Sequence, residues 1–285
     1  MGLIDFLLNL AALLLWLSWR AVRFDPLVRT SASSLVGTLR RAEPKKIRGW
    51  QLGVGLVALL LFRAWFYTEI GPEADWTPRL NLVAVTLAFR SDHFATVLLY
   101  SALAFLRVLL VFYFWLLALA VLNDRATDAN PCHRLVRLHL GRPAQWPWPV
   151  QAFLPMLVTT VLWLAVRPLL LRCGVVLPAR STAHVLEQGL LLSFSLYFSL
   201  KYLLPAVLLL HLVASYVYLG GNPFWEFIAT TARNLLAPLR GWPLRVGRLD
   251  FSPLIGAVLL LLLLQVLPGL LLRRLPQWHV TLWPQ

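Results

Sequence analysis

Three ionisable side chains lie inside apolar runs, where a charge is costly and is a candidate for function. Arg107 lies in "LRVLL", Lys201 lies in "LKYLL", and His211 follows Lys201 in the same apolar run. A charged side chain at the centre of a bilayer costs ~2.5–3.5 kcal/mol on insertion scales. The two cations could line a path for an anion or osmolyte or meet an anionic lipid, and the alternative is that both snorkel to the interface. Arg107, Lys201 and His211 are therefore our candidate intramembrane binding residues.

Two further arginines in apolar surroundings receive no such role. Arg63 and Arg167 lie towards the ends of their apolar runs. We expect neither residue to have a special function.

The rest of the sequence offers no set of residues typical of catalysis or metal binding. His133 and His139 are six residues apart, which is a poor helical ligand pair, and Cys132 and Cys173 show no CxxC spacing. The Gly-rich phosphate loop, GxSxG and HExxH motifs are absent. Haem ligation by His211 would need a second axial ligand at a facing depth. We expect no enzyme, no metal and no cofactor, and an intramembrane enzyme or haem-handling protein is the weakest of our hypotheses.

The composition is that of a membrane protein. Of the 285 residues, 59% are hydrophobic and only 13% are charged, whereas a soluble domain carries about a quarter charged residues. Runs of about 20 apolar residues are long enough to cross a bilayer as helices. We predict an all-α polytopic membrane protein with about six transmembrane helices, at about 3–23, 50–68, 94–121, 151–171, 189–219 and 252–272. The fifth is too long to stand upright, so it should tilt, kink at Pro205 or begin outside the lipid.

The net charge of +14 is placed where a membrane, rather than a nucleic acid, would use it. Sixteen of the 26 Lys and Arg residues fall in segments 20–49, 122–149 and 220–250, which follow the first, third and fifth spans. Segment 69–93 carries four acids against two arginines. Short basic loops stay in the cytoplasm. We therefore predict a multi-pass protein of the bacterial inner membrane with its N-terminus outside, whose basic face meets anionic lipids and no nucleic acid.

An acid or amide followed by proline closes each odd-numbered span. The pairs are Asp25-Pro26, Asn130-Pro131 and Asn222-Pro223. Asn or Asp is a good N-cap, and proline is well suited to the first helical turn. Apolar positions recur at helical spacing after each pair, which predicts short amphipathic helices in the membrane interface, clearest for 222–240. The alternative is that these segments are ordinary loops packed on the spans.

The repeated motif divides the chain into three hairpins, each made of a span, a short amphipathic segment and a second span. The predicted units are residues 1–90, 91–180 and 181–285. We regard the first as degenerate and the third as the clearest copy.

Residues 250–253 predict how the last span begins. Ser252 is a good N-cap and Pro253 a good first residue, and Asp250 would lie near the positive end of the helix dipole. Arginines lie near it in sequence, so an acid–arginine lock between the amphipathic segment and the last span is one interpretation. A plain helix start with a solvated acid is the other.

The third hairpin resembles the repeat of the YggT family of integral membrane proteins, which is called YlmG in plastids and some bacteria. The likeness extends over about 190–272 and rests on "NP", "LLAPLR" and "GRLDFSPLI". Its key positions are Asn222, Pro223, Pro238, Leu239, Arg240, Asp250, Ser252 and Pro253. The middle hairpin is a weaker copy that keeps Asn130-Pro131, and the first keeps little beyond Asp25-Pro26.

The resemblance implies a repeat topology and a role without catalysis. Family members are linked to osmotic tolerance, cell-division neighbourhoods and, in plastids, nucleoid arrangement and cytochrome b6f haem maturation. We therefore expect a non-enzymatic scaffold or assembly protein, related to osmotic stress, that docks lipid, a second copy or another membrane protein. The alternative is a channel or transporter for an ion or osmolyte that uses Arg107 and Lys201.

Overall fold

Helices form nearly all of the regular structure in the described part of the chain. The structure is a computed structural model, which describes residues 2–24, 49–73, 76–82, 85–124, 130–179, 181–217, 220–239, 245–246, 249–250 and 252–274. The helices are α1 (Gly2–Phe24), α2 (Gly49–Glu73), α3 (Phe94–Leu122), α4 (Pro131–Leu140), α5 (Trp148–Arg172), α6 (Thr182–Tyr197), α7 (Leu200–Tyr216), α8 (Pro223–Leu235) and α9 (Ser252–Arg274).

The strands are short, and two 3-10 turns accompany the helices. β1 (Arg79–Asn81) and β2 (Thr86–Ala88) form one two-stranded sheet, and β3 (Arg245–Val246) and β4 (Leu249–Asp250) form another. The 3-10 turns occupy Arg142–Gln145, before α5, and Ala237–Leu239, after α8.

The long helices are those of a membrane protein. Five stretches in the described residues are long and apolar enough to cross a bilayer: Gly2–Ala21, Gly49–Gly71, Phe94–Leu122, Trp148–Arg172 and Thr182–Tyr216. The predicted sixth span coincides with α9, which contains a shorter apolar stretch, Ser252–Val266. Large apolar side chains such as Phe62 and Phe153 are exposed on these helices, as expected where lipid surrounds them. The prediction of an all-α polytopic membrane protein is therefore confirmed.

The chain divides into two units. Unit 1 consists of Met1–Leu80 and Ala88–Leu109, and unit 2 consists of Asn81–Leu87 and Leu110–Gln285. This division reflects packing, whereas the three predicted hairpins reflect sequence repetition. The assignment of residues 1–90, 91–180 and 181–285 to hairpins stays a prediction.

In unit 1, α1 packs along α2 through small and aromatic side chains. Ala12, Leu56 and Phe105 are buried together, and Trp16 meets the Phe105 ring edge-on with 6.4 Å between ring centroids. Gly53 lies against the Trp19 ring, since a Cβ atom there would be 3.7 Å from the indole nitrogen. Small residues at such positions allow helices in lipid to approach closely.

In unit 2, α5 and α6 form an antiparallel pair with a well-defined register. The Tyr197 hydroxyl donates a hydrogen bond to the Ala152 carbonyl. Two turns further along α5, Thr160 touches Gly189 so closely that a Cβ atom there would lie 2.9 Å from the Thr160 Cγ2 atom. A glycine is therefore needed where these two helices are closest.

The long fifth span is broken rather than smoothly tilted. α6 ends at Tyr197 and α7 begins at Leu200, and the amide of Lys201 bonds to the Phe198 carbonyl in a tighter, 3-10-like turn. Pro205 lies inside α7, one to two turns after the break. A proline removes a helical hydrogen bond and pushes on the carbonyl four residues earlier, so its distortion falls upstream of the ring.

A second core of unit 2 lies where α7, α8 and α9 meet. It contains Val207, Leu208, Phe227, Ile228, Ala232, Leu236 and Ala257. The apolar face of the short helix α8 therefore packs against α7 and α9.

Candidate interfacial platform

α8 is an amphipathic helix whose start is fixed by the Asn222-Pro223 pair. Asn222 is its N-cap, and the Asn222 Oδ1 atom accepts a hydrogen bond of 3.1 Å from the Phe224 N–H. Pro223 is in the first turn, where a missing N–H costs no helical hydrogen bond. The buried side chains follow one helical face: Phe227, Ile228, Thr231 and Ala232. The helix predicted after Asn222 is therefore present, and it ends at Leu235.

α4 repeats this construction after the third span. The Asn130 Oδ1 atom caps the helix by accepting a hydrogen bond of 2.9 Å from the Cys132 N–H. Cys132 and Val136 pack against the core of α7, α8 and α9. The helix stops at Gly141, whose φ of +65° is a left-handed conformation that glycine adopts without strain. The short basic segment at 130–141 is therefore also a helix.

The two Asn-Pro helices are joined to each other. The Asn130 Nδ2 atom donates to the Pro223 carbonyl at 2.9 Å and lies 3.4 Å from the Glu226 carboxylate. The buried His133 ring meets the Phe227 ring edge-on, with 4.7 Å between centroids. One amide side chain thus caps its own helix with its oxygen and holds the neighbouring helix with its nitrogen.

A cluster of amide side chains joins α8 to the end of α3. The buried Asn123 donates from Nδ2 to the Thr231 hydroxyl at 2.9 Å. Asn234 donates from Nδ2 to the Leu122 carbonyl at 3.0 Å and to the Asn123 Oδ1 atom at 3.2 Å. The last carbonyls of a helix have no partner within it, so Asn234 supplies one that α3 lacks. We call α4, α8 and these joining amides the platform.

Sequence reasoning missed the amide cluster. Asn123 directly follows the third apolar run, Thr231 lies four residues after Phe227 on the apolar face of α8, and Asn234 lies seven residues after Phe227. Polar residues on the otherwise apolar face of a short helix were the available signal. That signal could not identify the hydrogen-bond partner of each residue, because the cluster joins residues more than 100 positions apart in the sequence.

The outward side of the platform is basic and carries apolar anchors. The exposed cations on and beside it are Arg134, Arg142 and Arg233. The exposed apolar side chains are Phe224, Leu135, Leu138 and, just before α5, Trp146. Arginine with tryptophan and leucine is the composition of a surface that lies at a lipid interface.

Several residues of the predicted motif are beyond what the structure describes. Asp25, Pro26 and Arg240 lie outside the described residues, so the first Asx-Pro helix stays a prediction. Pro238 is exposed in the 3-10 turn that follows α8. That turn ends the helix about where the sequence predicted it would stop.

The predicted lock is described only through its backbone. β3 and β4 pair antiparallel with Arg245 opposite Asp250, two residues before α9 begins at Ser252. Pro253 is buried in the first turn of α9. The backbone register brings an arginine and the acid opposite each other, and the side-chain lock itself stays a prediction.

The candidate intramembrane residues lie in different parts of the structure. Arg107 is exposed on α3 and belongs to unit 1, whereas Lys201 and His211 are partly buried on α7 in unit 2. The Lys201 ammonium lies 5.0 Å from the centroid of the Tyr202 ring, within cation–π range. A shared path lined by Arg107 and Lys201 stays a prediction.

Unit 1 contains a buried charge cluster that the sequence analysis did not assign. The Arg63 Nη2 atom lies 2.7 Å from Asp5 Oδ1, and Nη1 donates to Asn9 at 2.8 Å. The Tyr67 and Tyr100 hydroxyls donate to the two oxygens of the same carboxylate at 2.6 and 2.9 Å. α1, α2 and α3 thus each contribute to one polar cluster, which we call the Asp5–Arg63 cluster.

Aromatic rings enclose the Asp5–Arg63 cluster. The Arg63 guanidinium lies 5.6 and 5.2 Å from the Tyr67 and Tyr100 ring centroids, and Trp76 packs on the Tyr67 ring at 4.7 Å. The Arg63 side chain is 2% exposed and the Asp5 side chain 22%. Arg63 therefore has a structural role that the sequence analysis did not expect, because its guanidinium pairs with Asp5 between the helices.

The described residues offer no metal centre. Among them, no group of three or more His, Cys, Asp or Glu side chains is placed to hold a metal ion. The polar sites that the structure does bring together are the platform and the Asp5–Arg63 cluster. The polar contacts of both sites link different helices to one another.

Comparison with known proteins adds a family match for one part of the chain. The CCB3/YggT family model matches residues 190–271, which include α7, α8 and most of α9. The resemblance proposed for about 190–272 is confirmed for this segment, which is less than a third of the chain. The two weaker copies stay a prediction. No curated protein and no solved structure matches the chain.

Proposed function

We propose that this protein is a non-enzymatic membrane scaffold of the YggT type, whose platform docks anionic lipid headgroups. The observation that carries the proposal is the joining of α4 and α8 through Asn130, which caps one helix and bonds to the first residue of the other. In this proposal the joined helices act together, so that the exposed arginines of both contribute to lipid binding. The family match over 190–271 includes α8 and supports a role of this kind.

Charge and burial support lipid as the ligand. Arg134 and Arg233 are exposed on the two helices, while the opposite faces are packed against spans. Each near-surface Arg contributes ~1 kcal/mol to the attraction of anionic lipid, so two contribute ~2 kcal/mol. That energy corresponds to an affinity difference of about 30-fold.

Lipid retention by the purified protein tests the proposal. Wild type and Arg134→Gln/Arg233→Gln are reconstituted in nanodiscs of phosphatidylglycerol and phosphatidylcholine, extracted in mild detergent, and analysed for bound lipid by native mass spectrometry. We expect the platform variant to lose most of its bound phosphatidylglycerol. The control Arg79→Gln/Arg90→Gln removes two exposed arginines from the segment between α2 and α3. Equal loss in both variants would refute a lipid-docking platform.

Self-association or binding of a second membrane protein is the other part of this proposal. A scaffold needs a partner surface, and light scattering on the protein in mild detergent measures whether two or more copies associate. A monodisperse monomer that retains neither lipid nor partner would contradict the scaffold proposal. The localisation that goes with it is the bacterial inner membrane with the platform in the cytoplasm, which cysteine labelling at Arg134→Cys tests.

The channel alternative predicts a different result. Under the scaffold proposal, Arg107→Leu and Lys201→Leu leave anion and osmolyte flux in liposomes at the wild-type level. A flux that the wild type supports and both variants abolish would favour the channel instead.

A further inference from the structure

Arg167 is a partly buried cation near the end of a span. It lies on α5 inside the span Trp148–Arg172. Its Nε and Nη2 atoms are buried, and neither has a hydrogen-bond partner among the described residues. Buried guanidinium nitrogens left without acceptors carry a free-energy cost larger than the gain from a normal hydrogen bond, so these two atoms point to an anionic ligand.

The register of α5 and α6 shows which surface Arg167 faces. Ala152 is joined to Tyr197 and Thr160 touches Gly189, so eight residues forward on α5 correspond to eight residues back on α6. Seven residues are about two helical turns, which places Arg167 on the same face of α5 as Thr160. Seven residues back from Gly189 on α6 is Thr182, the first residue of that helix, so Arg167 lies opposite the start of α6.

The start of α6 increases the positive potential at this position. The N-terminus of a helix carries about half a positive charge, and its first amides lack partners within the helix. Ser181 is the N-cap and binds the His184 N–H, which leaves the amide of Thr182 pointing out of the helix start. A guanidinium group opposite a helix N-terminus is repulsive unless an anion lies between them.

No carboxylate of these helices is positioned to neutralise that charge. Glu187 is the one acidic residue in the sequence from Trp148 to Tyr197. It lies five residues after Thr182, roughly 140° around the helix, and its carboxylate is 3.7 Å from His184 Nδ1. The last carbonyls of α5, those of residues 169–171, already accept hydrogen bonds from the amides of residues 173–175.

We propose that Arg167 and the N-terminus of α6 form a binding site for the phosphodiester of an anionic membrane lipid. The site lies near the ends of two spans, at headgroup depth, and at the opposite end of α5 from the platform. Arg167 would donate through Nε and Nη2 to two phosphate oxygens, the bidentate geometry that suits this side chain. This inference is independent of the platform, since it uses the other leaflet and different helices.

Lipid-dependent stabilisation of the full-length protein tests the site. Unfolding temperatures are measured by circular dichroism in mild detergent with added phosphatidylglycerol, phosphatidylcholine or inorganic phosphate. The variants are Arg167→Gln, Arg167→Lys, which keeps the charge but not the bidentate fork, and the control Arg172→Gln, an exposed arginine at the end of the same helix. Loss of one near-surface arginine contact worth ~1 kcal/mol weakens apparent lipid affinity about fivefold.

We expect phosphatidylglycerol to raise the unfolding temperature of the wild type. Arg167→Gln should weaken the apparent affinity for this lipid about fivefold, Arg167→Lys should weaken it less, and Arg172→Gln should leave it unchanged. An equal response of Arg167→Gln and wild type would overturn the proposal. If inorganic phosphate produced the same Arg167-dependent response, the site would bind free anions and the lipid assignment would be wrong. The platform variants provide a separate test, because their arginines lie on α4 and α8.

Discussion

The Asp5–Arg63 cluster predicts that two opposite single substitutions damage the protein unequally. Asp5→Asn leaves the Arg63 cation without its counter-charge in a position where its side chain is 2% exposed. Arg63→Gln leaves the Asp5 carboxylate, which is 22% exposed and keeps hydrogen bonds from the Tyr67 and Tyr100 hydroxyls. Removing one member of a buried ion pair costs about 3–5 kcal/mol, because the other charge remains buried. Asp5→Asn should fall in that range and Arg63→Gln below it.

The double variant Asp5→Asn/Arg63→Gln provides the decisive comparison. It removes both charges and keeps side chains of similar size that can still hydrogen-bond. Replacing both partners of a buried pair is often close to neutral. We therefore expect the double variant to be more stable than Asp5→Asn. The coupling free energy between the two sites should be about 1–3 kcal/mol.

Unfolding in mixed detergent micelles, followed by circular dichroism against the fraction of denaturing detergent, measures these differences. Glu69→Gln and Arg90→Gln are matched controls, since both remove exposed charges near the same end of α2 and α3. Each control should change the free energy of unfolding by less than about 0.5 kcal/mol. Additive losses in the double variant, or an Asp5→Asn variant as stable as the controls, would refute the buried pair.

Three further predictions follow from helix contacts, each measured as the change in unfolding temperature or free energy. Gly189→Ala should cost about 1–3 kcal/mol, because its methyl group would meet Thr160 Cγ2 at 2.9 Å, and Gly189→Ala/Thr160→Ser should recover most of the loss. Asn130→Asp should cost about 1–3 kcal/mol by losing the donor to Pro223, whereas Asn222→Asp, which keeps its cap, should be neutral; equal effects would contradict the joining role. Asp250→Asn should lower the unfolding temperature, and an unchanged melting curve would exclude the lock.

Local sequence signals identified the helices of the platform but not what joins them. Asn130 and Asn222 were predicted to begin helices because Asx-Pro is a local N-cap signal that needs only neighbouring amides. The bond from Asn130 to Pro223 links residues 93 positions apart. Nothing in the local pattern distinguishes this asparagine from Asn222, whose side chain caps its own helix.

The arginines of α2 and α5 illustrate the same limit more sharply. Arg63 and Arg167 occur in similar apolar surroundings near the ends of their runs, and neither was expected to have a special role. Arg63 is instead paired with an acid 58 residues earlier, while two nitrogens of Arg167 have no partner among the described residues. Whether a cation within a span is neutralised depends on which helix lies beside it, and that is set by packing.

The sequence alone determined that this chain has the long apolar helices of a membrane protein and where the amphipathic helices α4 and α8 begin. These properties depend on composition, on periodicity and on capping residues a few positions apart, all of which are local features of the sequence. The tertiary structure decided which polar groups meet, such as the amides of the platform and the carboxylate beside Arg63. In lipid every such group must find a partner, and only the packing of distant helices determines which partner it has.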